Sequence, residues 1–529
     1  MRAARVSDLR QPGSLARHDE SRPESHCQIW RDCATLARRN PRRAIASTMF
    51  EIRPVLFIVG TMLAPFGAAM VFPAIADFAV GNDDWQVFAA SGAITVFAGG
   101  VLLLANRGPI ELGLRQVFML TTVCWVTLSV FGALPFMMSD LRLGYADAFF
   151  ESMSGLTTTG STVLTGLDSL PPGILFWRAL LQWIGGIGII GMGIAILPFL
   201  QVGGMQLFRS ESSDRSDKPL PRMRQVADAI ATAYIGLTLL CAVLYWAAGM
   251  TPFEALAHAM TTLSTGGYST SDGSIGHFSS PMIEWIAIVF MLAGAIPFVL
   301  YIRTFYGEPL VMLRNSQVRA FLGFLASLII ALTVWVYMVQ PIYLADALRL
   351  VTFNVVSVVT TTGYATTDYT VWGSTATIVF LTITVIGGCT GSTSGGIKIM
   401  RFEIIILTTR MQAKRLIHPH QVAGFSYNNA PVSVDVQISI ATFSTLFFMS
   451  IAIGTVALSA LGLDFLTSLS AAATVMANVG PGLGDIIGPA GNFSGRPDTA
   501  KWLLTMGMLL GRLEFFTILV LLHPGFWRV

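Results

Sequence analysis

The sequence predicts an all-α polytopic membrane protein in which four helix–pore loop–helix repeats surround a central pore, with one extra N-terminal transmembrane helix pair before them. Three observations predict this fold class. The 529-residue chain is 53% hydrophobic and 12% charged, whereas a soluble globular chain is about 25% charged. Apolar segments long enough to cross a bilayer recur along the chain, and four of their connections share one motif. The composition excludes a multidomain cytosolic enzyme and a disordered chain, and five scattered cysteines exclude a disulfide scaffold.

The first 48 residues differ from the rest of the chain, because they contain ten arginines, no lysine and few apolar runs. Three interpretations are a basic cytoplasmic arm, a twin-arginine export signal at Arg42 and Arg43, and translation from Met49. The export signal has no evident cleavage site and is followed by further apolar segments. We expect residues 1–48 to be a disordered or artefactual arm without chemistry of its own.

Ten apolar segments follow, each long enough for a transmembrane helix of about 20 residues. The first two, 54–80 and 86–105, form the extra helix pair at 53–110. The other eight fall into repeats at 111–204, 220–308, 315–412 and 430–529. The first spans of the repeats are 117–138, 226–248, 319–340 and 435–460, and their second spans are 175–200, 282–302, 376–409 and 501–523.

The connections between these spans alternate in charge. Those at 201–225, 303–319 and 410–434 carry five, three and three basic residues, whereas the connections on the other side carry none or about one each. Basic connections stay on the cytoplasmic side of a membrane. The charge pattern therefore predicts that both termini are cytoplasmic.

The four long outward connections contain one repeated motif. Each begins with an acidic residue, continues through an apolar stretch too short to cross the membrane, and ends in a run of small residues closed by glycine. The acidic residues and closing glycines are Asp147 with Gly160, Glu254 with Gly266, Asp346 with Gly363, and Asp464 with Gly480. The glycines lie 106, 97 and 117 residues apart, so a unit of about 100 residues occurs four times.

This motif is typical of a half-helix that enters the membrane and returns as extended chain. Such backbone is tolerated at that depth where it lines a water-filled path, and four sets of carbonyl oxygens can replace the hydration shell of a cation. The glycines allow positive φ, and the half-helices direct their negative C-terminal ends toward the ion. The predicted cation-filter residues are Thr158, Thr159, Gly160, Thr265, Gly266, Thr361, Thr362, Gly363, Asn478, Val479 and Gly480.

The motifs resemble those of the TrkH/KtrB superfamily of potassium transporters, whose four non-identical repeats each carry a filter glycine. The resemblance covers residues 53–529. The extra helix pair before the first repeat resembles that of the TrkH branch rather than the shorter KtrB branch. It implies potassium uptake across the inner membrane, with K⁺ as the transported ion at the filter residues and no cofactor in this chain. It also implies a homodimer and a cytosolic nucleotide-binding regulatory subunit, TrkA-like, that docks on the basic inner connections. Passive conduction and coupling to protons or sodium are both compatible with it.

A run of glycines and hydroxyl residues at 387–398 predicts a break in the second span of repeat three. A phosphate-binding loop is excluded, because no Gly-Lys-Ser/Thr closes the run and it lies in an apolar span. Close helix packing is the alternative. The resemblance implies an intramembrane gate, to which we assign Gly391, Ser392, Thr393, Gly395 and Lys398.

Arg512 lies near the middle of the last span, eleven residues after Lys501. An arginine at that depth costs about 2.5–3.5 kcal/mol and should face water or a partner. One interpretation is an ion pair with Glu514. The other, which the resemblance implies, is a positive barrier below the filter that belongs to the gate.

Other functions find less support. Glycines at 186, 188 and 191 match a dinucleotide fingerprint, but no strand precedes them and close helix packing explains them better. The potassium-translocating subunit of a P-type ATPase complex shares the four-repeat plan, but Arg512 and the extra helix pair speak against it. An inverted-repeat secondary transporter is disfavoured because the repeats all run the same way. An enzyme is not expected, since the spans contain no paired-carboxylate, His–Cys or nucleophile constellation.

Overall fold

The computed structural model describes residues 51–108, 112–195, 219–418, 426–428 and 430–528. The predicted arm at 1–48 and most of the basic connection at 201–225 lie outside these residues. The compact unit described below is Ile52–Phe526. The described segments are mainly helical, with one antiparallel pair of two-residue strands, β1 (Ser426–Tyr427) and β2 (Ala430–Pro431), and an isolated bridge between Ile386 and Ile397. The predicted all-α class is confirmed.

The helices follow the predicted order. In the extra pair, α1 (Arg53–Ala69) and α2 (Val71–Val80) form the first span and α3 (Trp85–Ala105) forms the second. Repeat one contains α4 (Leu114–Gly132), α5 (Leu134–Met138), α6 (Tyr145–Leu156) and α7 (Pro172–Ala195). Repeat two contains α8 (Pro219–Ala247), α9 (Pro252–Leu263), α10 (Pro281–Ala295) and α11 (Phe298–Phe305), followed by the short α12 (Val311–Arg314). Repeat three contains α13 (Ser316–Val339), α14 (Leu344–Val359), α15 (Ser374–Thr384) and α16 (Ile399–Ile417). Repeat four contains α17 (Val434–Ala460), α18 (Phe465–Ala477), α19 (Asp498–Arg512), α20 (Phe516–Leu522) and α21 (Pro524–Trp527).

Seven helical segments in the described part of the chain are long and apolar enough to cross a membrane, and α10 with α11 makes an eighth span bent by 95°. The span predicted at 282–302 is bent, because the helix breaks at Ile296 and Pro297. Proline has no N–H to donate and disfavours helical geometry in the residue before it.

The span predicted at 501–523 is interrupted as well. The helix ends at Arg512, and the next helix begins at Phe516. Glu514 and Phe515 between them have φ values of +55° and +42°, which a right-handed helix does not permit. The span predicted at 376–409 is interrupted where its glycine run lies, since α15 ends at Thr384 and α16 begins at Ile399.

Four short helices, α6, α9, α14 and α18, are the pore helices. They have 12, 12, 16 and 13 residues, which gives them lengths of about 18–24 Å, less than the roughly 30 Å of a bilayer core. The acidic residue that begins each motif lies at their N-termini. Asp464 accepts a hydrogen bond from the Thr467 N–H at 3.1 Å, and Glu254 forms a capping box with Thr251. The repeated acid is therefore a helix-start signal.

The extra helix pair packs through small residues and is joined to repeat one by a buried carboxylate. A side chain at Gly60 would collide with the backbone at Gly99, so α1 and α3 can approach closely. Asp77, fully buried in α2, accepts a hydrogen bond from the Gly173 N–H at 2.6 Å. This N–H belongs to the first turn of α7, where an acidic partner is favourable. The extra pair is thus bonded to the second span of repeat one.

Candidate filter and gate

The segments that follow the four pore helices share one backbone conformation. A non-glycine residue with positive φ occurs first, and a glycine with positive φ follows two positions later. The non-glycine residues are Thr158 (51°), Thr265 (51°), Thr361 (59°) and Asn478 (55°). The glycines, named the ring glycines below, are Gly160 (85°), Gly267 (79°), Gly363 (81°) and Gly480 (113°). Four sequences that differ in composition therefore form four equivalent turns.

This geometry changes the prediction for repeat two. Gly267, not Gly266, occupies the place of Gly160, so the interval from Glu254 is 13 residues, as it is from Asp147 to Gly160. Gly266 instead corresponds to Thr159. Two consecutive glycines satisfy the motif equally well, and only the backbone dihedral angles distinguish them.

The four segments close into a ring. Each ring glycine lies against the backbone carbonyl of the residue that precedes the ring glycine of the next repeat, so closely that a Cβ atom would collide with the oxygen. The four contacts are Gly160 with Gly266, Gly267 with Thr362, Gly363 with Val479, and Gly480 with Thr159. The last contact joins repeat four to repeat one, so the predicted filter residues lie together around one closed circuit.

Side chains reinforce the junction of repeats four and one. The Ser161 hydroxyl donates to the Gly480 carbonyl at 2.7 Å. The Asn478 amide donates to the Thr159 hydroxyl at 2.9 Å and to the Met508 carbonyl at 3.0 Å. Asparagine also tolerates left-handed geometry better than most residues do, so it suits both the backbone and the contact.

A cavity of about 300 Å³ is lined by the four ring glycines and by residues of the segments that follow them. Asp272 lines the cavity and accepts the Gly166 N–H at 2.8 Å. Asp168 lies in the 3₁₀ turn Leu167–Ser169, of which Leu167 lines the cavity. The hydrogen bond from Ser271 keeps the pKa of Asp168 below its usual value. The approach to the ring is therefore partly polar and contains the Asp272 side chain.

Residues 385–398, named the gate loop, contact the predicted filter directly. The Gly395 N–H donates to the Thr361 hydroxyl at 2.6 Å, and the Thr265 hydroxyl lies 3.2 Å from the Thr393 hydroxyl. Thr361 and Thr265 are two of the four positive-φ residues beside the ring. The gate loop therefore packs against the base of the turns in repeats two and three.

The gate loop also satisfies the backbone that the break in repeat two exposes. The Thr393 and Cys389 N–H groups donate to the Gly294 and Ala295 carbonyls at 3.1 and 3.0 Å, and the Phe298 N–H donates to the Gly391 carbonyl at 3.1 Å. Broken helices persist within a membrane where neighbouring groups take up their backbone hydrogen bonds. The unpredicted break at Pro297 and the predicted break at 387–398 therefore supply hydrogen bonds to each other.

Internal bonds fix the remaining gate-loop residues. The Ser392 hydroxyl donates to the Cys389 carbonyl at 2.6 Å, and the Lys398 ammonium donates to the Ser394 carbonyl. Gly387 and Ile397 are joined by a backbone hydrogen bond of 2.9 Å. The loop is a closed and well-bonded structure in this conformation.

Arg512 is buried, with 3% of its surface exposed. Its Nη1 atom donates to the Thr393 carbonyl at 3.0 Å. Its Nε and Nη2 atoms have no hydrogen-bond partner among the described residues. Glu514 pairs instead with Arg401 of α16 at 2.6 Å, so the interpretation that pairs Arg512 with Glu514 is wrong. The helix ends between the two residues, which turns Glu514 away from Arg512.

Sequence reasoning missed Gln182 as well as Gly267. Gln182 of α7 donates to the Gly266 carbonyl at 2.6 Å and accepts the Tyr268 N–H at 3.0 Å, so it holds the turn of repeat two from outside the ring. A polar residue in the predicted span 175–200 was a signal for it. In the same helix, a side chain at Gly186 would lie 2.6 Å from the Tyr234 hydroxyl, which supports packing as the reason for that glycine.

Comparisons with known proteins agree on one family. A family model described as TrkH, cation transport protein, matches residues 84–525. The Trk system potassium uptake protein TrkI of Halomonas elongata is 48% identical over 92% of this chain and 99% of its own length. TrkH of Vibrio parahaemolyticus is 38% identical over 90% of this chain and its full length. The crystal structure of the potassium transporter TrkH from Vibrio parahaemolyticus superposes with a TM-score of 0.84 at 36% identity, covering 90% of this chain and 100% of that one.

The ion pair of Glu514 and Arg401 predicts a large loss of stability in Glu514→Gln. The substitution leaves a guanidinium that is 1% exposed and stacked on Phe443 without its carboxylate, and breaking a buried pair costs about 3–5 kcal/mol. Thermal unfolding in detergent measures the effect. Glu308→Gln is the matched control, because it breaks an exposed pair with Arg303 worth less than about 1 kcal/mol. Equal stability of the two variants would contradict the assignment.

Proposed function

Because the chain belongs to the TrkH family of cation transport proteins, we propose that it takes up potassium through the pore that its four repeats surround. The relatives it resembles over nine-tenths of its length are named potassium uptake proteins. The observation that carries the proposal is the closed circuit of four equivalent positive-φ turns. Backbone carbonyls arranged around a pore axis can replace the water shell of a monovalent cation.

In this proposal K⁺ loses its hydration shell at the predicted filter residues, with Gly267 added as the ring glycine of repeat two. The positive φ of the turns supports this role, since glycine at positive φ allows the carbonyls to turn toward the pore. The pore helices end immediately before the turns, so their negative ends favour a cation there. The chain needs no cofactor for this activity, and K⁺ is the transported ion.

The gate loop and Arg512 obstruct the path below the filter in the proposal. Gly391, Ser392, Thr393, Gly395 and Lys398 form the obstruction, and Arg512 holds it through the Thr393 carbonyl. The positive charge of the guanidinium opposes cations at the same level. Opening therefore requires Thr393 to leave both Arg512 and the Gly294 carbonyl.

The membrane potential drives uptake. An inside-negative potential of 100 mV supplies about 2.3 kcal/mol per charge, which corresponds to about fiftyfold accumulation of a monovalent cation. Under this proposal the protein lies in the cytoplasmic (inner) membrane with both termini cytoplasmic. It acts as a homodimer with a cytosolic nucleotide-binding subunit, TrkA-like, on its basic inner connections. The three basic residues Arg410, Lys414 and Arg415 at the end of α16 support such a docking place.

The ring contact predicts that Gly267→Ala abolishes rubidium uptake by vesicles that contain this protein. The new methyl group collides with the Thr362 carbonyl and also strains a φ of +79°, so the ring cannot close. Uptake of ⁸⁶Rb⁺ under an imposed potential measures the effect.

Gly249→Ala is the matched control for that experiment. It places alanine at a φ of +111° with nothing within 4 Å of the new atom, so it carries a backbone strain of about 1–3 kcal/mol without the collision. We expect it to retain uptake. Absence of uptake in the wild-type protein under a potential would refute the proposed function, and equal uptake by the two variants would refute the role of the ring.

The position of Arg512 predicts that Arg512→Met raises flux. Removal of the charge and of the bond to Thr393 lowers the barrier, and a tenfold rise corresponds to about 1.4 kcal/mol. Initial rates of ⁸⁶Rb⁺ uptake, normalised to protein in the vesicles, measure it. Arg512→Lys keeps the charge and should remain close to wild type. An unchanged or lower flux in Arg512→Met would mean that Arg512 serves the structure alone.

A further inference from the structure

Each pore helix places a fully buried residue nine positions before its ring glycine. These residues are Glu151, His258, Asn354 and Ala471, each with 0% exposure. They occupy equivalent places but have different chemistry: a carboxylate, an imidazole, an amide and a methyl group. We call this place the brace position.

In three repeats the brace residue bonds to the segment just after its own ring glycine. Glu151 accepts from the Thr162 hydroxyl and the Val163 N–H, both at 3.0 Å. The His258 Nε2 atom lies 3.0 Å from the Ser269 hydroxyl. The Asn354 amide donates to the Thr366 hydroxyl at 2.9 Å. The chain is thus tied to its pore helix immediately above the ring.

Repeat four achieves the same tie by another residue. Ala471 has no polar atom in its side chain, and the adjacent Ser470 hydroxyl accepts the Leu483 N–H at 3.0 Å. Leu483 lies three positions after the ring glycine, as Thr366 does in repeat three. All four filter segments are therefore braced, and the chemistry of the brace distinguishes the repeats.

The brace of repeat one also reaches repeat two. Arg178 of α7, 1% exposed, donates from Nε to the Glu151 carboxylate at 2.8 Å and from Nη2 to the Thr162 hydroxyl at 3.2 Å. Its Nη1 atom donates to the Ser269 carbonyl at 2.9 Å, and its guanidinium lies 4.0 Å from the centre of the Tyr268 ring. Ser269 and Tyr268 directly follow the ring glycine of repeat two. One guanidinium thus bonds to the outer ends of two neighbouring filter segments.

Tyr268 completes the connection in the reverse direction. Its hydroxyl donates to the Glu151 carbonyl at 2.9 Å and lies 3.2 Å from the Ser161 carbonyl. A planar guanidinium with several fixed bonds holds its partners at defined separations. Selection among monovalent cations depends on the number and placement of the coordinating oxygens, and here that placement is fixed between repeats one and two.

We propose that Glu151 and Arg178 are positioning residues for cation selection, which hold the filter segments of repeats one and two at the separation that favours K⁺ over Na⁺. The proposal rests on the proposed function, because it concerns the selectivity of that pore. Neither residue needs to contact the ion. Their effect is exerted through the Thr162 hydroxyl and the Ser269 carbonyl.

The test is the ratio of ⁸⁶Rb⁺ to ²²Na⁺ uptake in vesicles that contain Glu151→Gln. Glutamine keeps the size and can accept from Thr162, but Arg178 loses its counter-charge. We expect the ratio to fall about tenfold relative to wild type, the effect of one lost charge-assisted bond. Glu284→Gln is the matched control, because it breaks the Glu284–Arg349 ion pair between α10 and the pore helix α14. We expect this control to keep the wild-type ratio.

The double variant Glu151→Gln/Arg178→Met separates positioning from stability. It buries no unbalanced charge, so its thermal stability should recover toward wild type, whereas its uptake ratio should stay low because Ser269 has lost its donor. If Glu151→Gln does not reach the membrane, Thr162→Val replaces it, since it removes the hydroxyl shared by both partners and should lower the ratio severalfold.

The outcomes distinguish the two proposals. Failure of the wild-type protein to take up Rb⁺ would refute the proposed function itself. Uptake by wild type together with an unchanged ratio in Glu151→Gln, or with an equal fall in Glu284→Gln, would overturn the positioning role and leave the proposed function standing. Recovery of the ratio in the double variant would likewise overturn it.

Discussion

Close approach of backbone to backbone is the constraint on which the rest of this structure depends. Each ring glycine lies where a side chain would strike the carbonyl of the next repeat, so the circuit can close only with glycine at four places. A second layer of glycines supports the ring from the second spans of repeats one, two and four. A side chain at Gly185, Gly294 or Gly511 would strike the carbonyl at the end of its own pore helix, at Leu156, Leu263 or Met476 respectively. These seven glycines thus form two layers of close contact, one within the ring and one around it. Both layers need the absence of a Cβ atom.

The same constraint explains the broken helices. Interrupted backbone within a membrane needs hydrogen-bond partners from other segments, and here two breaks supply each other. The gate loop donates to the carbonyls freed near Pro297 and accepts from Phe298, so neither interruption leaves those groups without partners. A movement of the gate loop therefore disturbs the inner helix of repeat two as well as the turns at Thr265 and Thr361.

Much of the fold could be predicted from the sequence, because bilayer thickness and backbone satisfaction leave few alternatives. Hydropathy located the spans, and the recurring acid and glycine located the four pore helices. The register of repeat two could not be predicted, since Gly266 and Gly267 are chemically identical and only φ distinguishes them. The break after Arg512 was hidden because Leu513–Phe515 has ordinary composition for a helix. Glu514 then had an obvious neighbour in the sequence and a different one, Arg401, in space.

The repeats combine a symmetric backbone with asymmetric side chains. Equivalent turns carry Thr, Thr, Thr and Asn at the first positive-φ place, and the brace position carries four different residue types. Symmetry of the backbone is required for the circuit to close, whereas the side chains are free to differ wherever an equivalent bond is made. Specific tuning of one repeat is therefore possible without loss of the ring.

The location of bound Rb⁺ tests most directly whether the closed circuit is the ion-binding element. Crystals of the full chain grown in RbCl and measured at the rubidium absorption edge would show each ion by anomalous scattering. The ring geometry predicts a peak enclosed by Gly160, Gly267, Gly363 and Gly480. Peaks confined to other parts of the molecule, with none inside the ring, would contradict it.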